Sequence, residues 1–124
     1  MRAVLKNTRI SPLKARVIAR MLKGKTVEDA LNMLKMTPKK GASILYKVIS
    51  SASANAKNNF GQNINSLEIA NIQIDKGMVL KRSLPRSRGR TSPIMKRTSN
   101  IKVEVKAKTP KKETKKNLKP QTNK

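Results

Sequence analysis

The stretch LEIANIQIDKGMVLKRSLPRSRGRTSPIMKRTSNIKVEV, residues Leu67 to Val105, decides the fold. Its two ends read as β-strands. IKVEVKA alternates cleanly, with Ile101, Val103 and Val105 on one face and Lys102, Glu104 and Lys106 on the other. At the other end Leu67 and Ile69 share one phase while Ala70, Ile72 and Ile74 share the opposite one, which predicts a bulge or a face switch near Asn71. Between them, where a compact domain places a turn of a few residues, lies LPRSRGR, Leu84 to Arg90, with three arginines at every second position.

From Lys76 to Val103 there are nine Lys or Arg and no acid. The apolar residues Met78, Val79, Leu80, Leu84, Ile94 and Met95 are too sparse there to build a core. An arm running from Gly77 to a tip near Arg88 would reach on the order of 35 Å at ~3.3 Å per residue. A lone two-stranded ribbon is marginal in water, so its order is expected to come from a partner. In an extended strand Arg86, Arg88 and Arg90 would project to one side; a turn at Ser87 to Gly89 would fan them apart. Either way they offer planar forks for phosphate and surfaces for bases. The bland alternative, a solvated disordered charge run, is weakened by the strand-like residues on both flanks.

Composition names the kind of partner. The chain has 124 residues, room for one modest core. Lys and Arg total 30 against 6 acids, a net charge of +24. That excess goes far beyond solubility and repels itself unless a polyanion neutralises it, so nucleic acid is the first expectation. An anionic membrane surface would also attract it, but no apolar run approaches the roughly 18 residues of a span. The N-terminal MRAVLKNTRISP lacks secretory-signal features, so an intracellular protein is expected.

Enzyme readings fare poorly. With no Cys and no His, the usual thiolate and imidazole metal ligands and the commonest proton shuttle are missing, and no cofactor, metal or catalytic residue is expected. Only Glu28 and Asp29 are adjacent among the acids, and adjacent helical residues diverge by about 100°. They suit a helix N-terminus better than a carboxylate dyad. ARMLKGKT, Ala19 to Thr26, ends like a phosphate-binding loop, but Ala19 replaces the first glycine and the segment closes a helix. PRSRGRT faintly resembles an AT-hook, yet its spacing differs and Thr91 stands where the second proline belongs. With only Tyr46 and Phe60 as aromatics, a reader that stacks bases on aromatic platforms fits badly.

The first half reads as three helices. Ser11 and Pro12 start one that Gly24 ends, with Leu13, Val17, Ile18, Met21 and Leu22 as its apolar stripe. Thr26, with Asp29 in a weak capping box, opens the second, burying Val27, Ala30, Leu31 and Leu34. The third runs from about Pro38 to Phe60 with Ile44, Leu45, Val48, Ile49, Ala52 and Ala56 inward; its small residues allow another element to approach closely. Adding a short strand around Arg2 to Lys6, the expected fold is α+β. Three helices pack on a small three-stranded antiparallel sheet that carries a long protruding β-hairpin. Residues 1–106 form the single domain, with the arm at about 77–98, and 107–124 a lysine-rich flexible tail.

LKGKTVEDALNML, then ISSASANAKNN, then KGMVLKRSLPRSRGRTSPIMKRTSNIKVEV closely resemble, in order and spacing, the family of large-subunit ribosomal protein twenty-two. The last block is the most specific, and the resemblance covers roughly residues 1 to 106. Gly77 is followed by Met78 and Val79 where many members have proline or small polar residues, and Lys76 takes a position often acidic. The resemblance implies a non-enzymatic protein that binds several domains of large-subunit ribosomal RNA and supports assembly. Its body would sit near the mouth of the exit tunnel and its hairpin tip would line the tunnel wall. By motif, the RNA-contacting candidates on the arm are Lys81, Arg82, Arg86, Arg88, Arg90, Lys96 and Arg97; on the body they are Arg9, Lys14, Arg16, Arg20, Lys39 and Lys40. Neighbouring ribosomal proteins and the nascent peptide are the other implied partners, with no membrane and no DNA. The compact length favours the bacterial or organellar branch over the longer archaeal and eukaryotic forms, and the expected place is a cytoplasmic bacterial ribosome, with an organellar one as alternative. A free nucleic-acid chaperone or DNA-compacting protein is the competing reading of the charge.

Overall fold

The computed structural model describes residues 1–108. The expected tail lies outside the described residues from position 109 onward. In chain order the elements are β1 (Arg2–Thr8), α1 (Pro12–Leu22), α2 (Val27–Met36), α3 (Lys40–Phe60), a 3₁₀ turn (Ile64–Ser66), β2 (Leu67–Pro85), a second 3₁₀ turn (Ser87–Gly89) and β3 (Thr91–Ala107). The strands form one antiparallel sheet in the order β1-β3-β2. This is the expected α+β architecture, three helices on a three-stranded sheet, with β2 and β3 continuing far past it as a ribbon.

The core follows the periodicities. Ile101, Val103 and Val105 of β3 meet Leu67, Ile69 and Ile74 of β2, and Leu45, Val48, Ile49, Ala52 and Ala56 of α3 cover them. The phase change in β2 is a bulge: Ile69 pairs with Val105 and Asn71 with Glu104, leaving Ala70 extra. One added residue flips the inward face, which is how Ile69 and Ile74 reach the same core. The helix α3 begins at Lys40, two residues later than expected, because Pro38 stays in the link and Thr37 closes α2 with its N–H on the Leu34 carbonyl, 3.3 Å. It ends at Gly61, whose φ of 60° lets Gly61 and Gln62 donate back to Lys57 and Ala56.

The stripe expected on α1 is rotated. Pro12, Ala15, Ile18, Ala19 and Leu22 are buried, while Leu13, Val17 and Met21 are exposed. The reason is close packing. At Gly41 of α3, a Cβ would stand 2.7 Å from Ile18 Cδ1 and 3.0 Å from Ile10 Cδ1. Gly41, having no side chain, leaves room for the Ile18 tip, and the stripe through Ala15, Ile18, Ala19 and Leu22 faces inward while three larger residues are left outside. Ser11 holds the N-cap position, but its hydroxyl makes no cap bond.

After Leu22 the chain makes a type II turn, with Lys23 at φ −61° and ψ 129°, Gly24 at φ 75°, and Lys25 N–H on the Leu22 carbonyl. Gly24 N–H donates to Ile69 O at 3.2 Å, and Ile69 N–H returns to Lys25 O at 3.0 Å. Both backbone donors are spent within the protein, which removes the phosphate-loop reading. Thr26 caps α2: its Oγ1 accepts from Asp29 N–H at 3.2 Å and donates to Asp29 Oδ2 at 2.7 Å. Thr26→Ala is expected to cost about 1 kcal/mol and lower the melting temperature by about 4–8 °C. Thr26→Ser should recover most of it in thermal unfolding; equal melting of all three forms would show that the cap is idle.

Candidate nucleic-acid interface

The arm leaves the body at a second bulge. Lys76 pairs with Ser99 and Val79 with Arg97, so Gly77 and Met78 together oppose Thr98. Three side chains stitch this joint. Thr98 Oγ1 donates to Met78 O at 2.6 Å, Ser99 Oγ to Ile10 O at 2.6 Å, and Asn7 Oδ1 accepts from Met78 N–H at 3.4 Å. Asn7 takes a left-handed φ of 52° where β1 shifts register, and its own N–H donates to Asn100 Oδ1 at 2.8 Å. Asn tolerates that backbone better than most residues.

Beyond the joint the two strands stay paired from Val79↔Arg97 to Pro85↔Thr91. Between the joint and the tip the register sets four cations opposite apolar residues: Val79 faces Arg97, Leu80 faces Lys96, Lys81 faces Met95 and Arg82 faces Ile94. Like charges directly across a pair would repel. This interleaving avoids that while keeping Lys81, Arg82, Lys96 and Arg97 exposed on both faces. The apolar residues that looked too sparse for a core serve as spacers between charges.

At the tip the turn of Ser87–Gly89 is closed by Arg86 N–H on Arg90 O at 2.7 Å. Arg88 has φ 57° and Gly89 φ 67°, whereas Arg86 and Arg90 are extended. Arg88 therefore leaves the chain from a different backbone conformation than Arg86 and Arg90, and the three do not line one side of a strand. All three are exposed.

Four body candidates gather where the arm is rooted. A groove of about 630 Å³ is lined by Arg9, Lys14, Lys39 and Lys40 from the body and Arg97 from the arm. A recess of about 310 Å³ shares Arg9, Lys40 and Arg97 and adds Lys96. A third, of about 340 Å³, lies between α1 and the arm and holds Arg16, Lys76 and again Arg97. Among the described residues, no acid lines any of them. Eight cations thus meet around the arm root, a concentration of positive potential suited to phosphate.

The remaining body candidates are placed differently. Arg16 donates from Nε and Nη2 to the Ile74 carbonyl at 3.1 and 2.8 Å, so part of its fork clips α1 to β2. Arg20 lies in a smaller recess with Arg16, Lys23 and Asn71. Lys23 and Lys76 join the basic surface although neither was singled out as a contact. Lys76 enters the sequence reading only as a departure from the family pattern, and the acid-free run that begins at it is the available signal. Glu104 is held below the usual carboxylate range by the hydrogen bond and charge of Lys102, 2.9 Å away. The pair is solvent-exposed, so it contributes little to stability.

A family model described as ribosomal protein L22p/L17e matches residues 3–106. Over 105 residues the chain is 51% identical to the large ribosomal subunit protein uL22 of Maridesulfovibrio salexigens, covering 85% of this chain and 96% of that protein. It is 47% identical over 105 residues to the like-named protein of Acetivibrio thermocellus, covering 85% and 84% respectively. The chain belongs to the ribosomal protein L22p/L17e family, a family of structural, non-enzymatic proteins.

Proposed function

We propose that this chain is a structural component of the large ribosomal subunit that binds large-subunit ribosomal RNA, with the arm extending along the RNA and its tip forming part of the nascent-peptide exit tunnel. The observation that carries the reading is the meeting of Arg9, Lys14, Lys39 and Lys40 with Lys96 and Arg97 at the arm root. The names of the relatives supply the particle. Phosphates in the root groove neutralise the crowded cations. Lys81 and Arg82 continue the contact outward, and Arg86, Arg88 and Arg90 hold the RNA at the tip, beside the nascent peptide. Arg16 and Arg20 extend the contact over α1. Neighbouring ribosomal proteins share the body surface, and the ribosome is that of a bacterial cytoplasm or of an organelle.

The test is fractionation of a cell extract on a sucrose gradient, followed by crosslinking. Nearly all of the protein is expected in the large-subunit and intact-ribosome fractions, crosslinked to large-subunit RNA through the arm. Crosslinks confined to DNA or to small-subunit RNA would overturn the reading, and abundant protein away from ribosomes would favour a free nucleic-acid chaperone or DNA-compacting protein.

A further inference from the structure

Phe60 is the last residue of α3 and stays 62% exposed. The chain's other aromatic, Tyr46, is partly buried against the core with Lys35 Nζ 5.9 Å from its ring centroid. A single exposed apolar side chain is ordinary. What distinguishes Phe60 is its setting. It forms a wall of a groove of about 590 Å³ whose other walls include Asn55, Asn59, Arg2, Glu104 and Lys106. The groove lies toward the far end of β3 from the arm root, about 20 Å along the strand from Thr98 at ~3.3 Å per residue, and so is separate from the basic surface described above.

We infer that this groove is a second RNA site that takes one unpaired nucleobase, stacked on the Phe60 ring; the inference rests on the RNA-binding reading above. Each part of such a site is present. An aromatic face accepts any base by stacking, and single-stranded RNA is read with aromatics together with polar groups at the base edge. Asn55 and Asn59, one helical turn apart on α3, supply amides. Asn55 Nδ2 donates to the Arg2 carbonyl at 3.3 Å, which orients the side chain and keeps Oδ1 as an acceptor. Glu104 has Oε1 on Lys102, and a carboxylate oxygen accepts readily from an exocyclic amino group. Arg2 and Lys106 provide charge for the flanking phosphates. A duplex offers no free base face, so the site selects single strands, loops or bulges.

The chain has no tryptophan, so Phe60→Trp places a sole indole reporter in the groove. The full chain would be titrated with a short single-stranded RNA of mixed sequence and with the same strand annealed to its complement, in salt high enough to weaken the phosphate contribution. The expected result is strong quenching of indole emission by the single strand and little by the duplex. Phe60→Ala is expected to lower single-strand affinity about fivefold or more with an unchanged salt slope, because no phosphate contact is lost. Equal quenching by both probes, or unchanged affinity in Phe60→Ala, would overturn the inference. If the tip arginine variant described below loses RNA affinity while Phe60→Ala does not, the groove assignment alone fails. If neither loses affinity, the RNA reading fails with it.

Discussion

Gly77→Ala is expected to loosen the joint between body and arm, raising amide exchange at Met78, Val79 and Thr98 by about 30- to 100-fold while leaving the helices protected. A Cβ at Gly77 would stand 2.5 Å from Thr98 Oγ1, 3.0 Å from Asn7 Oδ1 and 3.3 Å from the Thr98 carbonyl carbon. Thr98 has little freedom to retreat, being β-branched, buried and bonded to Met78 O. Overpacking together with that lost hydrogen bond is worth about 2–3 kcal/mol, which sets the size of the exchange effect. The damage stays local because the joint lies at the edge of the core. A double-mutant cycle sharpens the test. Thr98→Ala alone removes a useful hydroxyl, but in the Gly77→Ala background it also removes the obstruction, so the combined cost should fall below the sum of the two. Unchanged exchange at the joint in Gly77→Ala would show that the close approach does not matter.

Replacing Arg86, Arg88 and Arg90 together with alanine should weaken binding to large-subunit RNA by about 10- to 100-fold at moderate salt and flatten the salt dependence. Each neutralised phosphate contributes about 0.7–0.9 to the slope of log affinity against log salt, so three lost contacts remove about 2–3 from it. Circular dichroism of the body helices should not change, since all three side chains are exposed and the turn is closed by backbone bonds. An unaltered slope measured by filter binding over a salt series would show that the tip arginines neutralise no phosphate. The two experiments separate causes: Gly77 acts on how the arm is held, the arginines on what it holds.

Much of this molecule is legible in its sequence because two periodicities are strong. The alternation in IKVEVKA defines β3, and the apolar spacing with caps defines α2 and α3. The phase change around Asn71 announces the first bulge. What was not legible depends on contacts between distant segments. Counting apolar residues on α1 favours Leu13, Val17 and Met21, yet Gly41 of a different helix makes room for Ile18 and the inner stripe runs through Ala15, Ile18, Ala19 and Leu22. The bulge at Gly77 and Met78 needs Thr98 and Asn7 to explain it, and neither is near in sequence. Likewise the gathering of Arg9, Lys14, Lys39 and Lys40 beside Arg97 is a product of topology. The arm arginines were visible as a motif, but the spacing of charges by aliphatic residues emerges only from the register.

The strand order β1-β3-β2 also sets a timetable. Ala3 pairs with Val103, so the first strand to be synthesised finds its partner only when almost the whole domain exists. At ~5–20 residues per second that delay is roughly 5–20 s, during which three local helices can form but the sheet cannot close. The waiting strand carries Arg2 and Lys6, charges that discourage a bare edge from pairing with other chains. The last strand thus acts as a keystone: its arrival joins both ends of the domain and, in the same stroke, completes the ribbon that projects from it.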